Sequence, residues 1–103
     1  MNIPVFDLHC DTALAMIGRD DRPGRNLRKN DCHIDLERAK NLAGFCQCFA
    51  CFTTPFMYDW MQLSPETVFQ QEIAALKKEL EENKDMIRQL LLRRMLSTIR
   101  HPV

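Results

Sequence analysis

The chain has 103 residues, 46% of them hydrophobic, with 14 Lys+Arg against 14 Asp+Glu and five cysteines. That length holds one domain at most, and the balanced charge excludes a nucleic-acid binder that depends on a basic face. The ordinary residue mix excludes wholesale disorder, and no apolar run reaches the ~18–20 residues of a membrane span.

The opening Met-Asn-Ile-Pro-Val-Phe-Asp lacks the basic and apolar regions of a signal peptide. With an odd cysteine count, this predicts reduced thiols and a cytoplasmic location. Ile3 to Asp11 predicts a short strand, with Asp7, His9 and Asp11 on one face and Phe6, Leu8 and Cys10 on the other. Thr12 to Ile17 predicts a short helical turn, ended by Gly18. Arg19 to Asp31 is charged, contains Pro23 and Gly24, and predicts a loop or flexible crossover. A helix is expected from about Ile34 to Leu42, stopped by Gly44.

Gly44 to Thr54 reads Gly-Phe-Cys-Gln-Cys-Phe-Ala-Cys-Phe-Thr-Thr before Pro55. The run predicts a strand covered on both faces, the pattern of parallel sheets. Strand, loop plus helix, strand is a βαβ unit with a right-handed crossover. Ser64 is an N-cap with Pro65 at the first helical position. Phe69, Ile73, Leu76 and Leu80 then mark an apolar stripe that Ile87 and Leu90 continue. The stripe predicts one packed helix face rather than a coiled-coil seam. Unbroken from Pro65 to Arg100, such a helix would be ~50 Å long at ~1.5 Å per residue, far beyond the usual length. After Asp85 the charge becomes purely basic, through Arg88, Arg93, Arg94 and Arg100.

Three groups of residues are candidates for chemistry. His9 and Asp11, two apart at a strand's C-terminal end, point the same way and can converge on one divalent ion. In α/β folds that end is where active sites gather. The competing reading is a polar strand end entering a loop. Cys46-x-Cys48-x-x-Cys51 places two thiols on one strand face and the third on the other, which favours buried packing over a metal or redox site. Residues 56–61, Phe-Met-Tyr-Asp-Trp-Met, are a hydrophobic lid or, more in line with aromatic-rich loops, a segment packed on the domain edge. His33 and His101 are isolated in sequence, with His33 expected near a helix start rather than in a metal site.

Val5-Phe6-Asp7-Leu8-His9-Cys10-Asp11-Thr12 resembles the opening strand of the membrane (renal) dipeptidase family of zinc metallopeptidases. His33-Ile34-Asp35-Leu36-Glu37-Arg38-Ala39-Lys40 with Ala43-Gly44-Phe45-Cys46-Gln47-Cys48-Phe49 is similar to that family's next helix and second strand. The helix from Pro65 to Arg88 also fits in position, and the match looks closest to soluble bacterial members. The resemblance implies a hydrolase on a (β/α)8 TIM barrel with two zinc ions bridged by a carboxylate and a hydroxide, cleaving the peptide bond of dipeptides. It implies that His9 and Asp11 are ligands of the first zinc. It also implies that Gln47 is a structural hydrogen-bonder inside the barrel, with no catalytic role.

A whole barrel takes ~250 residues. The family's bridging Glu on the third strand, its two later zinc-binding histidines and its downstream Asp have no counterpart here. The expectation is therefore an α/β fragment, the N-terminal βαβα portion of a barrel truncated after about two strands. Residues 1–88 belong to it, followed by a divergent helical tail over 89–103. No residue is assigned a catalytic role, and the isolated chain is expected to be inactive. Its expected partners are the dipeptide substrate of the full-length family and, through exposed apolar surface, another copy of itself, with neither nucleic acid nor membrane. The alternative is a non-catalytic small protein whose long amphipathic helix binds a partner or itself.

Overall fold

The computed structural model describes residues 3–18 and 23–89. Its elements follow the order β1 (Pro4–Cys10), α1 (Thr12–Ala15), α2 (Leu36–Ala39), β2 (Gly44–Phe49), α3 (Met57–Met61) and α4 (Pro65–Glu82). This is a small mixed α/β arrangement. β1 and β2 pair in parallel, as the βαβ pattern predicts, in register from Pro4 with Gly44 to Asp7 with Gln47.

Between Asp7 and Cys10 the register slips. Cys10 pairs with Phe49, so β1 takes three steps where β2 takes two. That extra residue is a β-bulge, which bends a strand and re-aims its side chains. Leu8 and His9 are accordingly both exposed in succession, breaking the period of two that the sequence predicts. The strand ends at Cys10, and Asp11 instead occupies the N-cap position of α1.

α2 is shorter than expected, four residues capped by Asp35, whose side chain accepts from the Arg38 amide at 2.8 Å. The segment before it is not a loose crossover. The Asn30 side chain donates to the Asn26 and Ile34 carbonyls at 2.8 and 3.0 Å and accepts from the Cys32 amide. The Asn30 amide in turn donates to Asp35, and Arg25 grips Asp31. These polar groups thus find local partners, as loop backbone requires. Gly24 crosses the end of α1 so closely that a Cβ there would lie 2.1 Å from the Met16 carbonyl oxygen.

α4 begins as expected, with the Ser64 hydroxyl accepting from the Thr67 amide and Pro65 at its first position. It ends at Glu82, short of Arg88, because the buried Asn83 caps it and donates its side-chain amide to the Glu79 carbonyl. Arg28 fastens this end, bonding Asn83 at 2.9 Å and both oxygens of Asp85 at 2.8 and 2.9 Å.

The face that α4 buries is not the apolar stripe. Val68, Glu72 and Glu79 are buried, while Phe69 is exposed and Ile73, Leu76 and Leu80 are half-buried. The cause is polar docking: Glu79 accepts the Leu27 amide, turning the helix by about one residue from its most apolar orientation. The core is correspondingly small. Met16, Leu27 and Leu36 form its main cluster, with Phe49, Ala75, Leu76, Met86 and Ile87 packed around, and Cys10, Ala13, Met57 and Val68 are also buried.

β2 is not covered on both faces. None of its residues is buried, and it stops at Phe49 rather than Thr54. Among the described residues its one strand neighbour is β1, and a groove of about 860 Å³ separates it from the stripe side of α4. The cysteines follow suit: Cys48 is exposed and Cys46 and Cys51 are half-buried, so buried packing holds for none of the three. Phe56, Tyr58 and Trp60 are likewise exposed rather than packed on the edge, and Met57 alone anchors α3 in the interior. The expected loop positions 19–22, and Leu90, Arg93, Arg94, Arg100, His101 and the rest of the tail, lie outside the described residues. Among the described residues no helix is long and apolar enough to cross a membrane.

Candidate metal centre

At the C-terminal end of β1 the chain leaves the sheet and turns directly into α1. The bulge beneath this point turns His9 outward, and the start of α1 swings Asp11 to meet it. His9 Nε2 and Asp11 Oδ1 stand 3.0 Å apart, both side chains largely open to solvent. Two donors ~2.0–2.2 Å from one tetrahedral zinc lie roughly 3.3–3.6 Å from each other. A small opening of the observed contact therefore admits an ion between the two atoms. The spacing of the two residues makes them neighbours, and the bulge and the turn make them converge.

Beneath them Asp7 is fixed by its neighbour strand. Gln47 Nε2 donates to Asp7 Oδ2 at 2.7 Å across the paired register, and to the Cys48 carbonyl at 3.1 Å. Asp7 Oδ1 accepts, at 3.5 Å, from the His9 amide. Gln47 is thus a hydrogen-bonder that steadies the base of the strand end. Its own Oε1 is buried without a hydrogen bond.

A cleft of about 450 Å³ opens over this strand end, bringing Asp7, His9 and Asp11 together with Asp31, Cys32 and His33 from the loop before α2. His33 lies just before the Asp35 cap, near a helix start as expected, yet it also lines this cleft. No spacing in the sequence signals that meeting, because the loop joins the cleft through its own Asn30 hydrogen bonds. Among the described residues no group of three or more His, Cys, Asp or Glu is disposed to hold a metal ion. His9 and Asp11 stand as a converging pair of donor side chains. Cys46, Cys48 and Cys51 all line the separate β2–α4 groove. Cys51 joins the other two because the strand has already ended at Phe49, and burial, helped by the charge of Glu72, pushes its thiol pKa up, away from the reactive thiolate.

One ionisable group near the centre has no sequence signal at all. Glu72, on α4, is wholly buried, and neither carboxylate oxygen has a hydrogen-bond partner. Burial raises its pKa from 4.5 to about 7; the facing Phe52 amide opposes the rise, and the negative charge of Asp11 adds to it. In contrast, burial alone would push Asp35 up, but hydrogen bonds from the Arg38 side chain and the Asn30 and Arg38 amides outweigh it and hold the carboxyl at about 2.

Compared with known proteins, the chain matches no family model, no curated protein and no solved structure.

Proposed function

We propose that the chain is the N-terminal βαβα portion of a (β/α)8 barrel of the membrane (renal) dipeptidase family, with His9 and Asp11 as ligands of one zinc ion. The observation that carries this reading is the convergence of His9 Nε2 and Asp11 Oδ1 at the C-terminal end of a parallel strand, where barrel enzymes place their chemistry. The uncovered β2 and the apolar stripe of α4 facing an open groove support it, since both are surfaces that a third strand and its neighbours would cover.

In this reading His9 and Asp11 bind and orient the ion, while Gln47 holds Asp7 so that the strand end keeps its shape. Zinc, when bound, lowers the pKa of a coordinated water to about 7 and so supplies hydroxide for peptide hydrolysis. Two ligands do not hold a two-metal site, so in this reading hydrolysis of dipeptides belongs to the full-length dipeptidase family and not to this chain alone. The isolated chain binds zinc weakly and releases no amino acids from dipeptides. Calorimetric titration with zinc tests the assignment: a weak signal lost in both His9→Ala and Asp11→Ala supports it, whereas binding that survives either substitution removes that residue from the site. Zinc-dependent turnover abolished in His9→Ala would show that the chain alone suffices.

A further inference from the structure

Among the described residues two large apolar surfaces are open, and their charges are opposite. The first is the β2–α4 groove, whose floor includes Phe45, Phe49, Ile73 and Leu76. Its polar rim carries Lys40, Lys77, Lys84 and Arg88, and no acidic residue lines it. Lys40 and Lys84 are spent on Glu37 and Glu81 at 2.8 Å, whereas Lys77 and Arg88 make no ion pair among the described residues. The second is the aromatic face of α3. The Phe52 and Trp60 rings meet in a tilted contact at 6.5 Å between centroids, and Phe56, Tyr58 and Trp60 are 66%, 63% and 59% exposed. Asp59 is the charge of α3, Glu66 follows in the first turn of α4, and no Lys or Arg occurs anywhere in residues 41–76.

We propose that the chain associates head to tail with a second copy of itself, the aromatic face of α3 on one copy seated in the β2–α4 groove of the next. Aromatic side chains anchored in an apolar groove and ringed by opposite charges are the usual make-up of an interface centre. No α3 residue lines the groove, so one copy presents both surfaces at once. Such a heterologous contact repeats from copy to copy and yields assemblies larger than a two-fold dimer. At ~150–250 Å² per aromatic residue, the exposed parts of the four rings offer roughly 450 Å², about half of the ~800 Å² per partner of a standard interface. The contact is therefore a small one. The contact uses surfaces away from His9 and Asp11 and does not depend on zinc.

Sedimentation of the full chain across the micromolar range tests the proposal. The chain is expected to pass from monomer to dimer and beyond, less readily as salt rises. Lys77→Glu, which spoils the groove, and Trp60→Ser, which spoils the aromatic face, each reduce association at least tenfold, with circular dichroism unchanged because both side chains are exposed. Mixed in equal amounts, the two variants form a dimer that grows no further, since each retains one competent surface. Should either variant unfold, Lys77→Gln and Tyr58→Ser serve in the same mixing experiment. A chain that stays monomeric at every concentration, with the groove filled by its own residues or by nothing, overturns the proposal. So do variants that associate like the parent, or a mixture that remains monomeric.

Discussion

Two buried carboxyls make the pH dependence of stability predictable. Asp35 is held at about 2, below its ordinary 3.8, so its contribution is present above pH 3.8 and fades as the pH falls toward 2. Glu72 has the opposite sign. Its pKa rises from 4.5 to about 7, so the fold prefers it protonated, and stability is lost as the pH climbs from 4.5 through 7. Denaturant midpoints should therefore peak near pH 4–5 and decline on both sides. Glu72→Gln should remove the alkaline decline and stabilise the chain at pH 8 by about 1–3 kcal/mol, because an amide has no proton to lose between pH 4.5 and 7. A decline that persists in this variant would assign it to another group. At Gly24 the constraint is steric. A Cβ placed 2.1 Å from the Met16 carbonyl oxygen forces backbone to move, so Gly24→Ala should cost about 1–3 kcal/mol in equilibrium unfolding, the range of overpacking.

Among the elements, α3 shows most clearly what local chemistry leaves unfinished. It ends with Gln62 at φ 60°, ψ 26°, the left-handed cap conformation that favours glycine. Gln62→Gly should stabilise the chain by up to about 1 kcal/mol, measured by the same unfolding curves, because the Cβ penalty disappears. α4 was legible at its start, where Ser64 and Pro65 announce the cap, and illegible at its buried face. Amphipathic spacing points to Phe69, Ile73, Leu76 and Leu80, but the helix is rotated by the Glu79 carboxylate accepting the Leu27 amide, 52 positions away. β1 carries the same lesson in another form. Alternation predicts its two faces, and a single extra residue opposite Cys48 undoes that alternation at His9.

At the scale of the whole molecule, the small core of Met16, Leu27 and Leu36 contrasts with the open apolar groove beside it. A helix stripe and a strand that both read as buried are only partly covered among the described residues, and this is the common root of the fragment reading and of the proposed self-association. Those two ideas separate cleanly in experiment, since zinc titration reports on one and sedimentation on the other.

By itself the sequence determined the order of every element except α3, the parallel βαβ pairing, the start of α4 and the nearness of His9 to Asp11, because each follows from local spacing and capping chemistry. Only the tertiary structure decided which face of α4 is buried and that β2 stands open. It alone also brought Asp31, Cys32 and His33 over the strand end and left Glu72 unpaired. Those outcomes depend on contacts between residues far apart in the chain, whose energies no local pattern records.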